Sequence, residues 1–349
     1  MNRKSKLSGA AIALLAAIAL PACGSSGPGA DEGGEAKVVA SNSIVADLVE
    51  NVAGEEAEVT PLVGPGEDVH NFEPSPAASA DLSEAAVVFE NGLELEPWMD
   101  DLYESSGTDA ARVALAESDE IEPLTAEDDR GPGDHQDEHA DEHGHDHEGE
   151  AGHEEEHAHE DEHGHEGHAH GEYDPHVWHD VQNAVAMVRE AEAALSEADP
   201  ENAGAYEENA NEYVAELEEL DGEVERLTAE VPQENRRLVT AHDTFGYFAD
   251  AYGFEVAGTG LDSFSTEASD PAAGETAELA DEIREVGVPA IFPENVSNPA
   301  LMQRIADEAG VDLAPPLYTD ALGEPDGEAG TYVDMMRYNA TTISESLGQ

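Results

Sequence analysis

The sequence predicts an α/β fold of two lobes, each a parallel sheet flanked by helices, joined by one long rigid helix. Three observations predict it. Short apolar runs rich in Val and Ala are each followed by a helical pattern, the sign of βα units around a parallel sheet. That alternation occurs twice, once in the first 125 residues and again from about residue 236. Between the two runs lies one apolar stripe at steps of three and four, long enough to link them.

In the first half AKVVAS precedes the helical SIVADLVENVAG, and EAEVTPLV precedes a loop and then SPAASADLSEA. AAVVFEN leads into ELEPWMDDLYESS, and ARVALAES closes the series. In the second half RRLVTAH, FEVAGTG, VPAIFPEN and VDLAPPLYT alternate with TFGYFADAYG, DPAAGETAELADEIREVG, NPALMQRIADEAG and TYVDMMRYNATTISESLG. The linking segment opens with Asp199, a good N-cap, and Pro200, suited to the first helical turn. Tyr206, Ala210, Tyr213, Leu217, Leu220, Val224 and Leu227 then make its stripe. At 1.5 Å per residue such a helix extends roughly 45 Å, the height of both lobes. A coiled-coil dimer is the competing reading, but so short a stripe between α/β units packs on its own domains, and a monomer is expected.

The chain opens with the basic MNRKSK and the apolar LSGAAIALLAAIALPACGSSG, which reads as an export signal. The apolar run falls short of the roughly 20 residues a bilayer-spanning helix needs. Cys23, the only cysteine, cannot form an internal disulfide. The organisation expected is a signal over 1–22, a tether over 23–36, a first lobe over 37–198 containing a disordered His-rich loop over 131–172, a linking helix over 199–231 and a second lobe over 232–349. With 82 Asp plus Glu against 13 Lys plus Arg, the chain is not built to bind nucleic acid or an anionic membrane surface. The acidity is spread through the helices and reads as a solvated surface adapted to salt.

Of the 16 histidines, most lie in a tract from His135 to His170, and only His70, His176, His179 and His242 remain for the folded body. His70 stands in GPGEDVHNFEPSP after a strand, His176 in DPHVWHD, and His242 where VTAH hands over to the helix of TFGYFADAYG. Asp320 follows the strand VDLAPPLYT. In open α/β sheets ligands bind beyond the carboxyl ends of the strands, and at least three of these four groups map there. Singly, each is an ordinary loop, cap or core residue. Together, four ligand-type residues at equivalent positions in two repeated halves are harder to dismiss, and their convergence is expected.

The segments HNFEP, DPHVW, AHDTFGYFADAYG, STEASDP, AIFPENVSN and YTDALG, in this order over nearly the whole chain, resemble the metal-binding solute-binding lipoproteins of bacterial zinc and manganese ABC importers, the ZnuA/TroA type. LPAC at 20–23 likewise resembles the lipobox, in which Cys23 is lipidated once the signal is cut. The resemblance implies one metal site between the lobes, with His70, His176, His242 and Asp320 as ligands and Glu73 and Asp243 as supporting carboxylates, and an extracytoplasmic, membrane-anchored protein. It also implies delivery of the captured ion to a membrane permease with its ATPase. His179 replaces the apolar residue expected after DPHVW and is read as exposed or as support for a ligand.

Three imidazoles and one carboxylate suit tetrahedral zinc. Manganese favours more oxygen, and manganese members of the resembled family carry a carboxylate at the position of His242. Zinc as transported ligand is therefore expected over manganese. The tract lacks the apolar residues that offset ordering entropy, and it is expected to collect zinc weakly near the mouth of the site. A His-rich storage or adhesin lipoprotein, with the tract as the active part, is the competing reading. An enzyme is not expected: no H-E-x-x-H helix, G-x-S-x-G elbow or phosphate loop is present.

Overall fold

A computed structural model describes residues 36–125, 173–257, 273–297 and 299–348. The export signal, Cys23 and its tether, the histidine tract and the STEASDP segment lie outside the described residues.

The first lobe is a four-stranded sheet of β1 (Ala36–Ala40), β2 (Ala57–Pro61), β3 (Val87–Glu90) and β4 (Ala111–Ala114), ordered β2-β1-β3-β4. All pairs are parallel, with Val38 opposite both Val59 and Val87, and Phe89 opposite Val113. Three helices follow the first three strands: α1 (Ser43–Ala53), α2 (Pro76–Glu84) and α3 (Met99–Ser106). Local chemistry sets their starts. The Asn42 carboxamide oxygen accepts from the amides of Ile44 and Val45, and Ser75 caps α2 ahead of Pro76 at its first turn. α1 then buries Ile44, Val45, Leu48, Val49 and Val52 beneath the sheet.

Two helices not both foreseen connect the lobes. α4 (Val181–Ala198) has Asp180 as its N-cap, accepting from the Gln182 amide at 2.8 Å. Its apolar residues Val181, Ala184, Val185, Val188, Ala191 and Leu195 are buried. α5 (Ala203–Thr228) packs against α4, α1 and, in the second half, α6 (Gly246–Tyr252) and α9 (Tyr332–Leu347). Its 26 residues extend about 39 Å. The expected stripe is buried from Tyr206 to Val224, while Leu227 is only partly so. The start differs from expectation. Asp199 closes α4 rather than capping α5, and its carboxylate accepts from Asn202 Nδ2 at 2.7 Å and the Tyr206 hydroxyl at 3.0 Å, which bends the chain back at that turn.

The second lobe repeats the first. β5 (Arg237–Leu238) pairs with β6 (Glu255–Val256), and β7 (Ala290–Ile291) with β8 (Asp312–Leu313), all parallel. The Phe292 amide donates to the Val239 carbonyl at 2.9 Å and joins the pairs, giving the order β6-β5-β7-β8, the topology of the first sheet. α7 (Ala273–Val286) and α8 (Pro299–Ala309) cover it with a small core around Ile283, Ile291 and Ile305. The larger core runs from the first sheet along the buried stripe of α5 to α6 and α9, while the opposite face of α5 is exposed.

Candidate metal centre

Four loops bring the predicted ligands to one point. His70 lies between β2 and α2, His176 just ahead of a single 3-10 turn at Val177–His179, His242 after β5, and Asp320 after β8. One ligand atom from each of His70, His176, His242 and Asp320 lies within 4.8 Å of the others. Asp320 is the hub. Its carboxylate oxygens stand 3.3 Å from His242 Nε2, 3.4 Å from His176 Nε2 and 3.9 Å from His70 Nε2. The three imidazole centroids are 5.6 to 6.1 Å apart, with rings turned 59° to 89° from one another. His176 and Asp320 are wholly buried, while the side chains of His70 and His242 keep 22% and 11% of their surface exposed. The mouth of the site is on the side of those two.

Buried carboxylates orient two of the rings. Asp174 accepts from the His176 amide at 2.9 Å and meets its Nδ1 at 2.6 Å. Glu294 accepts from the His242 amide at 2.9 Å and meets its Nδ1 at 2.5 Å. Each carboxylate thus fixes both the backbone and the ring of its histidine, turning Nε2 to the centre and raising its basicity. The expected supports stand elsewhere: Glu73 is exposed, and the carboxylate on the His242 ring belongs to Glu294, not to the half-buried Asp243. Asp174 and Glu294 lie inside the DPHVW and AIFPENVSN segments, so the signal was local, but their pairing with ring nitrogens is set by the fold.

His179 is fully buried, not exposed. Its ring stacks on Phe245 with centroids 4.5 Å apart and planes 25° apart, and neither ring nitrogen has a hydrogen-bond partner. It supports the ligand turn by packing alone. Burial pushes its pKa down to about 3 and keeps it neutral.

The electrostatics suit a cation. Burial pushes His176 down to about 3, against a partial pull upward from Asp320. Burial would also favour neutral His242, but Glu294 and Asp320 outweigh it and hold this ring well above its usual value. Asp320 is raised by burial and lowered more strongly by His242, His176 and His70, ending well below the carboxylate range. A proton on His242 therefore balances Asp320, and a divalent ion can take its place.

Comparisons with known proteins identify the family of the chain. The model of the ZnuA family, zinc-uptake complex component A, periplasmic, matches residues 38–346. The manganese-binding lipoprotein MntA of Halalkalibacterium halodurans is 32% identical over 340 residues, covering 97% of this chain and 96% of the relative. MntA of Bacillus subtilis is 33% identical over 342 residues, covering 97% and 98%. Among solved structures, the periplasmic zinc binding protein TroA from Treponema pallidum superposes with a TM-score of 0.72 at 29% identity, covering 90% of this chain and all of that one.

Proposed function

This chain belongs to the ZnuA family and is a metal-binding substrate-binding protein of the ABC-transporter type, not an enzyme, and on that premise we propose that its cargo is zinc, held by His70, His176, His242 and Asp320. The observation that carries the reading is the convergence of three imidazoles on one buried carboxylate. A tetrahedral ion with bonds of about 2.0–2.1 Å has ligand atoms about 3.3–3.4 Å apart. Asp320 meets His242 through one oxygen at 3.3 Å and His176 through the other at 3.4 Å, close to that span, and the remaining separations, 3.9 Å to His70 and up to 4.8 Å within the group, shorten as the ligands draw in on the ion. Capture then amounts to entry past His70 and His242, loss of the His242 proton, and closure of the mouth loops. The loaded protein passes its ion to a membrane permease driven by an ATPase.

The relatives' names support an exported lipoprotein, so Cys23 is assigned as the lipid anchor and the protein as a monomer displayed outside the cytoplasmic membrane. No described helix is long and apolar enough to cross a membrane. The histidine tract is assigned an accessory role, collecting zinc for the central site. If zinc-limited uptake is unchanged by deletion of residues 135–170, that role is excluded.

Manganese is the second reading, favoured by the names of the two MntA relatives. The deciding experiment measures zinc binding, in competition with a chelator and with manganese, on protein lacking residues 135–170, beside the same protein carrying His242→Ala. One tight zinc per chain that resists manganese and is lost in the variant supports the zinc site. Preference for manganese at that site replaces the cargo. No tight site at all moves the function to the tract and revives the storage reading.

A further inference from the structure

The sequence contains two tryptophans, and both end at the metal centre. Trp98, on the turn into α3, donates its indole N–H to the carbonyl of Val69 at 2.7 Å. Trp178 donates its own to the carbonyl of Thr319 at 3.1 Å. Val69 immediately precedes His70, and Thr319 immediately precedes Asp320. Both indoles are buried, and each has a further fixed contact. Trp98 packs edge-on against Phe72, two residues beyond His70, with centroids 4.8 Å apart. Trp178 packs edge-on against the His176 ring at 5.4 Å, and its own carbonyl accepts from the Tyr332 hydroxyl at 2.7 Å.

We propose that Trp98 and Trp178 are positioning residues that fix the span of the cage, and that Trp178 sets its preference for zinc over manganese. This rests on the four-ligand zinc reading above. Trp178 is the stronger of the two because it joins the lobes: it packs on a ligand carried ahead of α4 and ties down the strand end that carries Asp320. His176 and Asp320, the two wholly buried ligands, are thereby held at one separation whether or not an ion is bound. A cage so tied resists the expansion needed to admit extra oxygen ligands, as an octahedral ion requires, and it costs a four-coordinate ion nothing. Trp98 holds the backbone just ahead of His70 at the open mouth, where closure on the ion can still correct its position.

The test compares wild-type, Trp178→Phe and Trp98→Phe full-length mature protein, titrated with Zn2+, Mn2+ and Co2+ against a competing chelator that masks weak binding to the tract. Phenylalanine keeps an aromatic ring in the pocket but removes the N–H together with the five-membered half of the indole, so the zinc-to-manganese ratio and the cobalt band, rather than a loss of affinity alone, carry the test. Trp178→Phe is expected to weaken zinc about 10- to 100-fold, the range for losing a group that orients a ligand. Manganese affinity is expected to be nearly unchanged, so the zinc-to-manganese ratio falls. The visible absorption of bound Co2+, intense in a tetrahedral shell and weak in larger ones, falls with it. Trp98→Phe is expected to weaken both ions by less than tenfold with the ratio kept. An unaltered ratio and cobalt band in Trp178→Phe overturn the proposal, as does an equal loss for zinc and manganese, which a merely structural tryptophan produces. Should Trp178→Phe not fold, Tyr332→Phe, which frees the Trp178 carbonyl but keeps the indole, is expected to shift the ratio the same way, and no shift overturns the proposal. If wild-type protein shows no tight site, the four-ligand reading itself falls and this proposal with it.

Discussion

Replacing Glu294 by glutamine removes the charge behind His242. The side chain is buried, with one oxygen on the His242 amide at 2.9 Å and the other on Nδ1 at 2.5 Å. Glutamine is nearly isosteric and its one carbonyl oxygen can still accept from Nδ1, but its NH2 then faces the His242 backbone N–H, so the variant loses that backbone bond together with the charge assistance, which makes such bonds about twice as strong as neutral ones. Loss of a ring-orienting carboxylate weakens metal binding by roughly 10–100-fold, or about 1.4–2.7 kcal/mol. A second, opposite effect separates this from simple damage. Glu294 and Asp320 hold the His242 pKa above its usual value, so in the wild type zinc must displace a proton over the neutral range and below. Affinity therefore falls by about one log unit per pH unit as pH drops below that pKa. In Glu294→Gln one of the two carboxylates is gone, the proton leaves more readily, and this decline begins at lower pH. The deficit of the variant is thus largest at high pH and shrinks on acidification. Chelator-competition titrations at several pH values between 5.5 and 8.5 measure it. A deficit independent of pH, or growing on acidification, refutes the coupling of Glu294 to the His242 proton.

Two further outcomes follow from the same structure. His179→Leu is expected to stabilise the metal-free protein by about 1–3 kcal/mol, since it removes a buried ring whose nitrogens have no partner and keeps an apolar face on Phe245. The melting temperature should rise with no change in zinc affinity, and a fall in either means that the ring has a polar role. With a formal net charge of −69, the protein is expected to melt at higher temperature in molar salt than in 0.1 M salt, because the screening length drops from about 10 to about 3 Å. Equal melting temperatures, read by circular dichroism with chelator present, show that the acid surface is not self-repelling enough to matter.

Much of the fold was legible because its signals are local. All eight strands coincide with Val- and Ala-rich runs, and the stripe of α5 is read directly from spacings of three and four. α4 carries signals that are just as local, an Asp180 cap and an apolar periodicity of its own. Asp199 shows the limit of local rules. As an acidic residue before proline it suits an N-cap, yet it closes the preceding helix, because the α4–α5 hairpin needs its carboxylate to hold Asn202 and Tyr206 across the turn. The site divides in the same way. His70, His176, His242 and Asp320 stood out as ligand-type residues at strand ends. The partners that make them a site did not: Glu294 lies 52 residues from His242, and Trp178 lies 141 residues from Thr319.

The sequence by itself determined the repeated βα pattern, the linking helix, the acid surface and the identity of four potential ligands, since each depends on residue type and short spacing. Tertiary structure alone decided that those ligands share one carboxylate hub, that Asp174 and Glu294 rather than Glu73 and Asp243 orient the rings, and that His179 is buried. Contacts of this kind arise only when the loops of both lobes meet, bringing strand ends far apart in the sequence to one point. Nothing in local spacing encodes which distant residue will fill a given side of an imidazole, because that choice is made by the packing of the two lobes.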